Sequence, residues 1–247
     1  ASTGMHGKCG RGGQAPLMDR QYWEKGITTI GPKQLEAFEY HKQLLARVPP
    51  KNIRILGANG PPVIIYSDAF FQPYNEPEPE DGIRCRMGWV IFDKLAERPV
   101  GGTMVVPQEK LATWKKRDQQ VFVAETLAVL ATTIEHKESL RGRDVIWFVD
   151  NIGALQVLIK GNSAQFDAGN VCAAAHLLWA SLGTRVWFEW VASDDNPSDG
   201  LSRKGLLDEW TLKQTPKWQI AEYTAPDWFS LSDLPIQQLM ELFAEQG

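Results

Sequence analysis

Three acidic residues stand where an apolar run ends or a helical pattern begins, and a fourth acidic cluster follows later in the chain. Asp68 closes the run Val63-Ile64-Ile65-Tyr66-Ser67, Glu125 lies early in a stretch of helical period, and Asp150 closes Val145-Ile146-Trp147-Phe148-Val149. The fourth cluster, Asp194-Asp195-Asn196-Pro197-Ser198-Asp199, offers three further carboxylates. If folding gathers such groups, their repulsion leaves two outcomes: raised carboxyl pKa values, or divalent metal between them. A ligand set of carboxylate oxygens without histidine or cysteine selects Mg²⁺ or Mn²⁺ over zinc. Each acid also has a plainer reading, since Asp150-Asn151 suits a helix cap and Glu125 in a first turn suits the helix dipole. Their order and shared placement carry the metal reading. The sequence contains no P-loop, HExxH, zinc-finger or nucleophile-elbow pattern.

Gathering these acids requires strands and helices in a definite order. Residues 63–66, 84–92 and 102–106 read as three strands, the first two separated by the acidic, proline-rich turn 75–81 and the last two joined around residues 97–101. Residues 121–134 change period, with Phe122, Leu127, Leu130, Ala131 and Ile134 close to one helical face. A strand at 145–149, a helix through Ile152, Leu155, Leu158 and Ile159, a helix at 168–182 and a strand at 185–191 follow, and then a polar loop over 193–203. This order predicts an α/β fold: a mixed five-stranded sheet, antiparallel first and parallel later, with helices on both faces. In such sheets the ends of parallel strands adjoin helix starts and form a crevice, the place where the acids converge.

Composition supports a sizeable core, with 43% hydrophobic residues, 23% charged residues and ten tryptophans. The 247 residues fit one medium domain with appended segments: a basic, largely helical leader over 1–60, the domain over 61–205, and a Trp/Pro-rich tail over 206–247 that closes in an amphipathic stretch, 234–243. In the leader, Gly7-Lys8-Cys9-Gly10-Arg11-Gly12-Gly13 is loop-like, and from Pro32 the residues Leu35, Phe38, Leu44 and Leu45 recur at helical spacing until Pro49-Pro50. The leader holds nine basic residues against four acidic ones, a balance of +5, which leaves −9 for the rest of a chain whose net charge is −4. A basic leader beside an acidic domain suits phosphate contact in one part and cation binding in the other. Cys9, Cys85 and Cys172 form no CxxC pair and no disulfide framework, and no apolar run is long enough to span a bilayer. The expectation is a soluble intracellular protein with no membrane partner, its compartment open.

The later motifs make a resemblance specific. Trp190-Val191, Asn196-Pro197-Ser198-Asp199 and Leu201-Ser202-Arg203 resemble the closing motif of RNase H domains in retrotransposon and pararetroviral reverse transcriptases. Tyr66-Ser67-Asp68-Ala69 resembles that family's opening strand, Ala124-Glu125-Thr126-Leu127-Ala128 its glutamate helix, and Phe148-Val149-Asp150-Asn151 with Ala154-Leu155 its central aspartate. The match spans roughly residues 61–205, with weaker similarity upstream to the segment that connects polymerase to RNase H. The resemblance implies an RNase H-like fold and a catalytic, metal-binding quartet of Asp68, Glu125, Asp150 and Asp199 holding two Mg²⁺ or Mn²⁺ ions. Asp194 and Asp195 compete for the fourth place, but only Asp199 keeps the spacing to Ser202-Arg203. One departure is plain: many cellular RNases H carry a histidine in the loop before the last aspartate, and here His6, His41, His136 and His176 all lie elsewhere.

The implied substrate is an RNA–DNA hybrid, cut in its RNA strand. Asn151, Gln156 and backbone near Phe70 are candidate readers of 2′-hydroxyls, and Lys115, Lys116, Arg117 and Arg203 candidate phosphate contacts. Residues 1–60 and 206–247 are candidate docking segments for a larger protein or ribonucleoprotein assembly. Two rivals stand beside this reading: a DNA-directed nuclease of the same superfamily, and a non-catalytic RNase H-like fold serving as a structural or nucleic-acid-binding subunit.

Overall fold

A computed structural model describes residues 30–47, 60–116 and 120–225 of the chain. The glycine-rich start of the leader, Arg117 and the 234–243 stretch lie outside the described residues. Helix α1 (Pro32–Arg47) comes first, followed by β1 (Val63–Phe71), β2 (Cys85–Phe92) and β3 (Val100–Val105). Next are α2 (Gln108–Thr113), α3 (Val121–Glu135), α4 (Lys137–Leu140), β4 (Asp144–Val149), α5 (Ile152–Lys160), α6 (Phe166–Leu182) and β5 (Arg185–Trp190). The described chain closes with α7 (Asp199–Arg203), α8 (Glu209–Gln214) and β6 (Gln219–Tyr223).

The strands form one sheet in the order β5-β4-β1-β2-β3-β6. The β1–β2 and β2–β3 pairs are antiparallel, and β1–β4 and β4–β5 are parallel, which is the mixed arrangement expected from the order of elements. A sixth strand, absent from the expectation, runs parallel to β3 from Val100↔Gln219 to Met104↔Tyr223. It comes from the Trp/Pro-rich tail, so part of that tail belongs to the sheet. Residues 193–203, expected as a polar loop, contain a 3-10 turn over Ser193–Asp195 and the one-turn helix α7.

Alternation along β1 divides the two faces. Val63, Ile65, Ala69 and Phe71 are buried with Leu127, Val123 and Leu130 of α3 and Leu178 of α6, forming the main core. The opposite row, Asp68, Gly88 and Thr103, lies under α7: Thr103 Oγ1 donates to the Leu201 carbonyl at 2.8 Å. Gly88 is required there because a Cβ would meet the Ser202 backbone nitrogen at 2.5 Å. On the core face Gly102 makes room for the Trp89 ring, which occupies the place a Cβ would take. Three buried indoles find an acceptor: Trp147 donates to Ser67 Oγ at 2.9 Å, Trp179 to Thr133 Oγ1 at 3.0 Å and Trp89 to His136 Nε2 at 2.9 Å.

Helix α1 forms as its spacing predicts, but of the expected stripe only Leu44 is buried, and a stripe through Ala37 and Tyr40 takes the place of the rest. Ala37, Tyr40 and Leu44 face inward, with Tyr40 and Leu44 packing on Leu177, whereas Leu35, Phe38 and Leu45 are exposed. Both stripes are apolar, so periodicity alone does not decide which one finds a partner.

Candidate metal centre

The β1–β4 ladder runs from Val63↔Val145 to Tyr66↔Phe148 and then ends. Beyond that point β1 continues alone on this side, and Asp68 lies in the gap where the parallel strands part. Asp150 follows the last residue of β4, and Asn151 caps α5 by accepting from the Ala154 amide at 3.0 Å. Glu125 enters from α3. It is the fifth residue of that helix rather than a first-turn acid, so an interaction with the helix N-terminus does not account for it.

One oxygen from each of Asp68, Glu125 and Asp150 lies within 4.8 Å of the others, a grouping that could hold a metal ion. Asp68 and Glu125 are buried, at 5% and 2% exposure. Burial, then the negative charge of Asp150, lifts the Asp68 carboxyl from 3.8 to about 6, although hydrogen bonds from Ser202 and Glu125 pull the other way. Burial and the charges of Asp68 and Asp150 push Glu125 well above the usual carboxylate range. Glu125 Oε2 and Asp150 Oδ1 are buried without a hydrogen-bond partner. Two orphaned carboxylate oxygens beside a third buried carboxylate fit a hard divalent cation, which would satisfy them and cancel the repulsion.

Hydroxyl groups fix two of the three. Ser202 Oγ donates to Asp68 Oδ2, and Ser193 Oγ donates to Asp150 Oδ2 at 2.7 Å. Asn196 ties the intervening loop to β1, donating to the Ser67 carbonyl at 3.3 Å while accepting from Ser198 Oγ at 2.6 Å. Arg86, on β2, donates to the Arg203 carbonyl at 3.0 Å and so holds the end of α7. Ser193, Asn196 and Ser202 all stand within the closing motif, yet their roles as hydrogen-bond donors to β1 and to the acids were not evident in the sequence. Arg86 carries no motif at all.

Asp199 is not one of the three converging groups. Its two carboxylate oxygens accept from Arg203 Nε at 2.8 and 2.9 Å, although its charge still reaches Asp68. Asp194 and Asp195 are exposed in the 3-10 turn. Among the remaining candidates, Gln156 is exposed on α5, Lys115 is exposed, and the exposed Lys116 ammonium lies 4.8 Å from the centre of the Tyr74 ring. The Arg203 guanidinium is 6.0 Å from the centre of the Phe70 ring. His136 and His176 are engaged elsewhere, the first by Trp89 and the second at 2.9 Å from the Leu158 carbonyl. No helix among the described residues is long and apolar enough to cross a membrane.

No family model matches the chain, and no curated protein matches it. Solved structures do. RNase H1 from the halophilic archaeon Halobacterium salinarum aligns with a TM-score of 0.41 and 18% identity, covering 59% of this chain and 98% of that one. The N-terminal RNase H domain of rv2228c from Mycobacterium tuberculosis, solved as a fusion with maltose-binding protein, aligns with a TM-score of 0.43 and 16% identity, covering 61% and 98%.

Proposed function

We propose that this chain is a metal-dependent ribonuclease H-type endonuclease, of retroelement descent, that cuts the RNA strand of RNA–DNA hybrids. The observation that carries the reading is the convergence of Asp68, Glu125 and Asp150 at the point where β1 and β4 part, with two of their oxygens buried and unsatisfied. Asp68 and Asp150 are central, Glu125 and Asp199 flank them, and the set holds two Mg²⁺ or Mn²⁺ ions. Such ions supply an activated water and stabilise the departing 3′ oxygen.

The chain's own residues do the rest. Ser202 and Ser193 fix the Asp68 and Asp150 carboxylates, which keeps the ligand oxygens from turning away. Gln156 and backbone near Phe70 read the 2′-hydroxyls across a shallow minor groove. The Asn151 side-chain oxygen serves the α5 cap, so any contact it makes with substrate is through its amide group. Lys115, Lys116 and Arg117 meet phosphates. Residues 1–60 and 206–247 attach the enzyme to a larger assembly, and the exposed Leu35, Phe38 and Leu45 of α1 are a docking face within them.

The test is a cleavage assay on labelled RNA–DNA hybrid, duplex DNA and duplex RNA, with Mg²⁺, Mn²⁺ or EDTA. The RNA strand of the hybrid alone is expected to be cut, only with metal, and Asp150→Asn is expected to lower the rate by at least about 100-fold. Cleavage indifferent to Asp150→Asn overturns the assignment. Hybrid binding with no cleavage by the parent chain transfers support to the non-catalytic subunit.

A further inference from the structure

We infer that Arg203 is a built-in counter-cation for Asp199, so that a second divalent ion enters only when Arg203 lets go. The inference rests on the metal-centre reading above and concerns how that centre fills. Three carboxylates converge without Asp199, whose oxygens are both taken by Arg203 Nε across one turn of α7. The pair is anchored at its base, because half-buried Arg86 grips the Arg203 carbonyl. Asp199 first, and then Asp68 and Asp150, stabilise the Arg203 cation, which places the guanidinium within the field of the whole cluster.

A divalent ion approaching Asp199 therefore meets a positive charge already seated there. The first ion, held by Asp68, Glu125 and Asp150, feels Arg203 only at longer range, because the guanidinium is paired with Asp199 and not with these three. Release has an evident trigger. The Arg203 side chain is 56% exposed, and a guanidinium matches phosphate oxygens at least as well as it matches a carboxylate. A nucleic-acid phosphate that takes Arg203 frees Asp199 for metal in the same exchange, which couples substrate arrival to the second ion.

The experiment is a Mn²⁺ titration of the intact chain without nucleic acid, counting bound ions by electron paramagnetic resonance. The parent is expected to bind one ion at least about tenfold more tightly than the second, and Arg203→Gln to tighten the second by about fivefold while leaving the first nearly unchanged. A second constant that is unchanged or weaker in Arg203→Gln overturns the inference. First-ion binding that survives Asp68→Asn overturns the metal-centre reading instead. If Arg203→Gln does not fold, the Nε–H resonance of Arg203 in the parent decides: it should hold through the first equivalent of Mg²⁺ and move with the second. A resonance that ignores both equivalents also overturns the inference.

Discussion

Replacing Asp68 by asparagine should stabilise the metal-free protein while abolishing its response to metal. The Asp68 carboxyl is lifted from 3.8 to about 6 by burial and by Asp150. Between those values the folded chain keeps a proton that the unfolded chain has released, so stability is full below 3.8 and declines as pH rises to about 6. A lift of about two units costs about 3 kcal/mol at most, and the cost is complete at neutral pH. Asparagine carries no such charge, and its Oδ1 still accepts from Ser202. In EDTA near neutral pH the variant should melt higher than the parent by up to roughly 6–12 °C, and the difference should vanish in acid below the ordinary aspartate range. Mg²⁺ at about 1,000 times its dissociation constant should reverse the order, since it adds about 4.1 kcal/mol to the parent and the variant has lost a central ligand. Thermal melts over pH, with EDTA or MgCl₂, measure all of this. A variant less stable than the parent in EDTA at neutral pH, yet raised by Mg²⁺ as far as the parent is, would refute the reasoning.

Other outcomes follow from single contacts. Ser202→Ala removes a hydrogen bond to a charged, buried carboxylate, and the Mg²⁺ needed for half-maximal cleavage should rise by about five- to tenfold. Gly102→Ala drives a methyl group into the Trp89 ring, so urea unfolding should show a loss of about 2 kcal/mol or more. His136 accepts a hydrogen bond from Trp89, and burial lowers its pKa from 6.5 to about 4. The unfolded chain takes up that proton first. The contribution of His136 is therefore complete above 6.5 and lost as pH falls toward 4, at most about 3 kcal/mol, and His136→Gln should remove this slope from the stability–pH curve. Replacing Lys115 and Lys116 with glutamine should flatten the salt dependence of hybrid binding by roughly 1.4–1.8 units of log–log slope, and an unaltered slope removes them from the phosphate contacts.

The acids at the exits of β1 and β4 were legible because a strand's exit is a local property: an apolar run stops, and the next side chain stands at the sheet's end. Glu125 was legible through the helical period around it, although its place in the second turn depends on Gln120 rather than Glu125 closing the start of α3. What local pattern could not give is partnership between distant segments. Gln219–Tyr223 has no strong strand signature, and it becomes a strand only because the outer edge of β3 offers it backbone groups. The two apolar stripes of α1 compete on equal terms until Leu177 decides for Tyr40 and Leu44. Asp199 keeps the motif's spacing, but spacing says nothing about the arginine one turn later that claims its carboxylate.

The sixth strand changes what counts as an end of this molecule. With β6 in place, Tyr223 lies 5.2 Å from the Trp89 ring centre and 5.7 Å from that of His136. The Trp89–His136 pair is thus roofed by a residue 18 positions past the domain boundary expected at 205. A version trimmed there would bare the hydrogen-bonding rim of β3 and wet an indole that has 0% exposure in the intact chain. Such a fragment would keep every acid of the metal centre and still be prone to sticking to its own copies.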